Sequence, residues 1–244
     1  MSVTSRIEAV KIIHDCAVSY DENLSGRNVM FVAIDNGKTT FIETLFTPHN
    51  FLHLTGVKTR LRSEQFFIAA LSKRLSPDHI SFDPGGTTEL KLEVLPQLMS
   101  IHTRARMVGD YDSSRPLLIT DKFAGTVTMA MGFVNKDGFY LPNTALKIDI
   151  RDITEQAARR RVIAIFTKER RALKYTHLSY IAKEFTIDDN VLASVVREKA
   201  DKQNLIIEVP KKSLAENLAK AKKKAAQQSA GRTTQQSHKP GPRR

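Results

Sequence analysis

Between Arg106 and Leu141 the chain carries four short runs of β-favouring residues, RMVGDYD, PLLITDKF, TVTMAMGFV and FYLP. Turn residues separate them at Asp112-Ser113-Ser114, Gly125 and Lys136-Asp137-Gly138. Parallel neighbours would each need a crossover of about a dozen residues or more, and these intervals are far shorter. The segment is therefore expected to fold as an antiparallel meander, completed by a further run, RVIAIFT, at 161–167.

Upstream, helix and hairpin signals alternate. Residues 4–18 set Ile7, Val10, Ile13 and Ala17 at helical spacing behind Thr4 or Ser5, either of which suits an N-cap. VMFVAID and KTTFIETLF flank Asn36-Gly37, the pair that best tolerates the positive φ angles of a type I′ turn, so a β-hairpin is expected. A hairpin also disposes of Gly37-Lys38-Thr39 as a phosphate loop, for which the upstream glycine is missing. Pro48 opens a short helix closed by Gly56, and Ser63 caps another that buries Phe66, Phe67, Ala70 and Leu71. In ELKLEVLPQLMSI strand and helix periods both fit. Thr88 as a cap favours helix, with Pro96 as its kink or the start of a second piece. Helix, hairpin, helices and meander in this order make an α+β fold, with the helices and hairpin packed on the meander.

Residues 176–208 read as helical, followed by a strand-like LIIEV. Leu178, Ile181 and Ala182 would lie on the first helix of a helix-turn-helix, with Ile187 and Val191 closing its small core. Asp188 and Asp189 would then oppose DNA phosphates, and a plain helical hairpin fits the same spacing. The expected organisation is a domain over 1–168, a small helical segment over 169–210 and a disordered basic tail over 211–244.

The net charge of +12 is unevenly placed. Residues 211–244 hold ten Lys and Arg against Glu216 alone, which leaves about +3 for the rest. Lys222, Lys223 and Lys224 head the tail residues expected to attract a polyanion without specificity. The single cysteine, Cys16, excludes a disulfide framework and a cysteine-based zinc site. No His stands at metal-ligand spacing from a carboxylate, so neither metal nor cofactor is expected. No stretch approaches the roughly 18 apolar residues of a membrane span. The start, MSVTSRIEAVKIIHD, lacks a basic stretch followed by an apolar one. A soluble chain in a reducing, cytoplasmic compartment is expected, without a membrane partner.

Three segments set chemistry-bearing side chains beside element ends. Phe51–Lys58 holds His53, Thr55 and Lys58 around a helix terminus, Thr120-Asp121-Lys122 ends a strand with a cation, and Leu141-Pro142-Asn143-Thr144 fixes a polar pair behind a proline. Each also has a plain structural explanation. His53 can be half-buried between Leu52 and Leu54, Lys122 solvated at a strand end, Asn143 in an Asx turn, and Arg151 paired with Asp152.

Read in order, FLHLTGV, MVGDYD, LITDKFAGTVTMAMGF, FYLPNTALKIDIRDIT and RVIAIFTK resemble the phage-type barnase–EndoU–colicin–RelE-like nucleases, in their fourth subgroup, over about residues 24–168. The resemblance implies a helix-plus-antiparallel-sheet fold that cleaves RNA without metal, and a toxin-like or effector role on a phage or mobile element. Such cleavage turns the 2′-hydroxyl on the adjacent phosphorus and needs a base, an acid and a cation for the charged phosphorane. On this footing His53 is the candidate acid or base, and Lys122 the candidate cation with Lys58 or Arg151 behind it. Asn143, Thr144, Thr55 and Thr167 are the candidate hydrogen-bonding groups. The arrangement requires the 51–58 helix to pack on the open face of the meander. The expected partner is RNA, with DNA as the alternative, and an immunity or complex protein beside it. The alternative function is a non-catalytic nucleic-acid-binding or regulatory protein that uses the C-terminal segment and tail.

Overall fold

Ser5 starts the first helix, α1 (Arg6–Asn23), through a reciprocal cap. Its hydroxyl accepts the Glu8 N–H at 3.2 Å while the Glu8 carboxylate accepts the Ser5 N–H at 2.8 Å. In this computed structural model residues 5–115 and 118–208 are described. The buried face of α1 runs through Ala9, Val10, Ile13, Cys16, Ala17 and Tyr20. Ile7, expected on that face, is 72 % exposed, so the apolar stripe begins later and carries the helix past 18 to Asn23. Burial, with Asp15 nearby, pushes the Cys16 thiol up to about 12, which leaves it an inert core residue.

The hairpin forms with Asp35 of β1 (Arg27–Asp35) opposite Lys38 of β2 (Lys38–Leu45). Asn36 and Gly37 take φ of 49° and 80° at its tip. α2 (Pro48–Thr55) opens on Pro48 and stops where Gly56 turns left-handed at φ 69°. α3 (Ser63–Leu71) buries Phe66, Phe67 and Ala70, with Arg62 rather than Ser63 at the cap position. α4 (Thr87–Leu98) keeps Pro96 in its last turn and breaks after Leu98; α5 (Ile101–Arg104) is the second piece.

The meander is β3 (Met107–Asp110), β4 (Lys122–Gly125), β5 (Ala130–Lys136) and β6 (Phe139–Leu146), antiparallel throughout, and β7 (Arg160–Glu169) extends the sheet. The chain is α+β, and the hairpin joins the meander edge to edge. β6 meets β2 in parallel, and β7 pairs with β1 on one edge and β3 on the other, so the ladder β1-β2-β6-β5-β4-β3-β7 closes on itself. Alternation along β1 serves two cores. Val29, Phe31 and Ala33 face the cluster built with α1 to α5, while Met30 and Val32 face the opposite one. Burial on both faces is why VMFVA reads as an unbroken apolar run.

Residues 177–181 depart most from expectation. In place of a first helix, His177–Ile181 form β8, antiparallel to β7. β3 covers only Arg160 and Arg161 of that β7 edge, which leaves Ala164–Thr167 open for a new strand. The one α-helix of this region, α6 (Asn190–Lys199), packs Leu192, Val195 and Val196 in a cluster with Met30, Val32, Phe166 and Leu178. β9 (Ile206–Ile207) lies parallel to β8. The helix-turn-helix is thus corrected to strand, helix, strand, and β7 runs through the boundary expected at 168. The basic tail, with Lys222, Lys223 and Lys224, lies outside the described residues. Among those described, no helix is long and apolar enough to cross a membrane. Nor do three His, Cys, Asp or Glu side chains gather as a metal cluster among them.

α5 carries a buried histidine with a consequence for stability. His102 is 7 % exposed and its Nδ1 has no partner among the described residues. Burial pushes its pKa down to about 4, against the pull of Glu208 and with Arg27 adding to the depression. The unfolded chain takes up this proton below about pH 6.5 and the folded chain does not until about 4. In that window the unfolded state binds more protons, so stability falls as pH drops from 6.5 to 4, by about 3 kcal/mol in total. Urea midpoints measured across this range should show a flatter acid limb for His102→Gln than for wild type. Identical slopes would contradict the buried, neutral state.

Candidate active site

The site begins with a buried asparagine. Asn50 Oδ1 accepts the Thr47 N–H at 3.0 Å and hydroxyl at 2.7 Å, while Nδ2 donates to Pro142 O at 3.1 Å. One side chain thereby caps α2 and locks it onto β6, which is the packing the sequence candidates required. On β6 the register jumps, Gly132 facing Thr144 and Phe133 facing Pro142, so Asn143 is the extra residue of a bulge. A bulge re-aims its side chains. Asn143 Nδ2 donates to Ile119 O at 2.6 Å and ties the bulge to the segment before β4. Gly132 is needed here. A Cβ on it would stand 2.7 Å from Thr144 Cγ2 and 2.8 Å from Thr120 Cγ2, so its bareness lets the two threonines close over the strand.

The result is an open cleft of about 560 Å³ between α2, α4 and the bulge, lined by His53, Lys58, Lys91, Thr120, Asn143 and Thr144 among others. His53 stands on the exposed side of α2, and its pKa is lowered by partial burial and by the Lys91 charge, so the imidazole is neutral at physiological pH. Lys91 donates to His53 O at 3.2 Å. Its chain crosses Gly56, where a Cβ would lie 2.6 Å from Lys91 Cδ. Burial lowers the Lys91 ammonium pKa, opposed by Asp83. Lys58 pairs with Asp83 at 2.8 Å, and the bonds from Lys58 and the Thr87 hydroxyl hold that carboxyl below its usual range. The Thr120 hydroxyl is buried with no partner among the described residues. A neutral base, two ammonium groups and several hydroxyl and amide groups therefore face one space.

Four sequence candidates meet in this cleft: His53, Lys58, Asn143 and Thr144. The other four are placed elsewhere. Lys122 sits opposite Asp110 in the β3–β4 register and pairs with it, which draws the ammonium into a separate cleft of about 170 Å³ beside Asp35 and Arg160. Thr55 is fully buried, donating to Leu52 O at 2.8 Å and accepting the Val57 N–H at 3.3 Å, so it closes α2 and meets no solvent. Thr167, 2 % exposed, shares a hydrogen bond of 3.3 Å with Ser179 between β7 and β8. Arg151 grips Asp149, with Nε 3.0 Å from both carboxylate oxygens, rather than Asp152. Lys91 is not among the sequence candidates, and Thr120 stands there only as part of the Thr120-Asp121-Lys122 segment, with no role of its own. The available signal was Thr88, three residues before Lys91 on the same helix, whose hydroxyl donates to Gly56 O at 2.8 Å and marks the face that covers the α2 terminus.

A family model described as phage-Barnase-EndoU-ColicinE5/D-RelE like nuclease 4 matches residues 12–184. The chain belongs to that family. The match includes every residue that lines the His53 cleft and extends to β8. No curated protein and no solved structure matches the chain. Membership makes this a nuclease of the barnase–EndoU–colicin–RelE type.

Proposed function

We propose that the chain is a metal-independent ribonuclease that cleaves RNA from the His53 cleft. The observation that carries this reading is the convergence of a neutral histidine, two lysines and the Asn143–Thr144 bulge in one open cleft of a nuclease-family fold. His53 removes the 2′-hydroxyl proton as that oxygen attacks the adjacent phosphorus. Lys58 and Lys91 offset the charge on the phosphorane, and Asn143, Thr144 and Thr120 orient its oxygens. Lys91, its ammonium made more acidic by burial, protonates the departing 5′-oxygen. The products are a 2′,3′-cyclic phosphate and a 5′-hydroxyl. The family's name supports a phage or mobile-element setting, and a toxin-like role in the cytoplasm restrained by an immunity-type partner fits that setting.

The test is digestion of end-labelled RNA by the full chain in EDTA, beside the same sequence as DNA. Cutting of RNA alone, with cyclic-phosphate ends, is expected. Activity lost in EDTA, or equal cutting of DNA, would overturn the reading.

A further inference from the structure

We propose that a strip of cations running from Lys58 through Arg60 to Arg6 binds the phosphates of single-stranded RNA that flank the scissile one. The proposal rests on the ribonuclease reading of the His53 cleft and extends it to the path of the substrate strand. A second depression, of about 640 Å³, adjoins that cleft and shares Lys58 and Thr59 with it. Arg6, Arg60 and His79 line it, with Asp78 as its acidic member. The shared wall is held rigidly. Lys58 N–H donates to Ser81 O at 2.8 Å and Ser81 N–H returns to Lys58 O at 2.9 Å. Thr59 Oγ1 accepts the Leu61 N–H at 3.2 Å, and Leu61 packs on the main core. Lys58, Arg60 and Arg62 are left exposed while Thr59 and Leu61 turn inward.

Lys58 is shared with Asp83, but the arginine charges of this strip are uncommitted. Among the described residues neither Arg6, Arg60 nor Arg62 enters an ion pair, whereas Arg27, Arg151, Arg160 and Arg161 each do. Residues 1–210 carry only about +3, so an unpaired cluster beside the cleft is a local excess, not a reflection of the body's charge. Unpaired guanidinium groups with fixed roots are suited to phosphate oxygens, and a concave surface focuses their field. A single strand fits better than a duplex. In-line attack needs the 2′-oxygen, phosphorus and 5′-oxygen collinear, which continuous A-form stacking prevents. The flanking backbone then leaves the cleft over Lys58 and Thr59 into the second depression.

The experiment compares Arg6→Gln/Arg60→Gln with a control pair, Arg171→Gln/Lys183→Gln, in the full chain. The control removes the same charge from exposed positions that line neither depression, and the tail is common to both. Binding is followed by anisotropy of a fully 2′-O-methylated, uncleavable RNA strand across salt concentrations. The track variant should weaken binding about tenfold at low salt and lower the salt slope by about 2, with the control near wild type. On cleavable RNA the track variant should raise KM with kcat held, and cleavage of a dinucleotide should not change. Equal losses in both variants, or no loss in the track variant, would overturn the proposal, as would a loss seen with duplex DNA but not with the single strand. If wild type cuts nothing yet the two variants separate in binding, the track stands and the cleavage reading falls. If cleavage holds and they do not separate, the reverse is true.

Discussion

His53→Ala should lower RNA cleavage by about 10²–10⁴-fold, the usual contribution of a positioned general base. The side chain is exposed on α2, so its removal opens no cavity, and stability should stay within about 0.5 kcal/mol of wild type. The backbone carbonyl that Lys91 uses remains in place, so the cleft keeps its shape. A pH profile separates chemistry from structure. As a base, His53 works unprotonated, so the rate should rise with pH and level off below the ordinary histidine value of about 6.5, because burial and Lys91 depress its pKa. Lys91→Gln should move that limb upward in pH by removing the charge, besides slowing the reaction. Full cleavage by His53→Ala would remove the histidine from the mechanism and leave the lysines to be tested as the base.

Phe133→Ala should cost about 3–5 kcal/mol, a large part of the stability of a domain this size. Phe133 is fully buried, with the Phe31 and Phe46 rings each centred 6.3 Å from its own and the Phe46 contact edge-on at 86°. It faces Pro142 across the bulge and follows Gly132, so one ring supports both the core and the backbone that presents Asn143 and Thr144. Urea unfolding would show the loss as a shifted midpoint, and Phe133→Leu should recover most of it. A loss under about 1 kcal/mol for the alanine variant would mean that the surrounding rings collapse into the space without penalty.

What the sequence determined by itself was whatever local chemistry suffices to fix. Ser5 with Glu8 caps a helix, Asn36-Gly37 accepts positive φ, Gly56 ends α2, and short intervals between β runs leave no room for crossovers. From these came the α+β class and the order of its elements. Ordered phrases along the chain also point to the nuclease family, and His53, Lys58, Asn143 and Thr144 are legible as chemistry-bearing residues beside element ends without the cleft that unites them. The tertiary structure decided the rest. Leu178, Ile181 and Ala182 satisfy helical spacing as well as strand, and the open edge of β7 beyond Arg161 made the choice, because unpaired backbone groups on a buried strand need partners. Lys122 was legible as a cation and Lys91 was not, yet strand register paired Lys122 with Asp110 while the missing Cβ of Gly56 let Lys91 cross to the cleft. Which ammonium reaches the His53 cleft depends on register and on close approach between distant segments, and neither is encoded in the spacing of one.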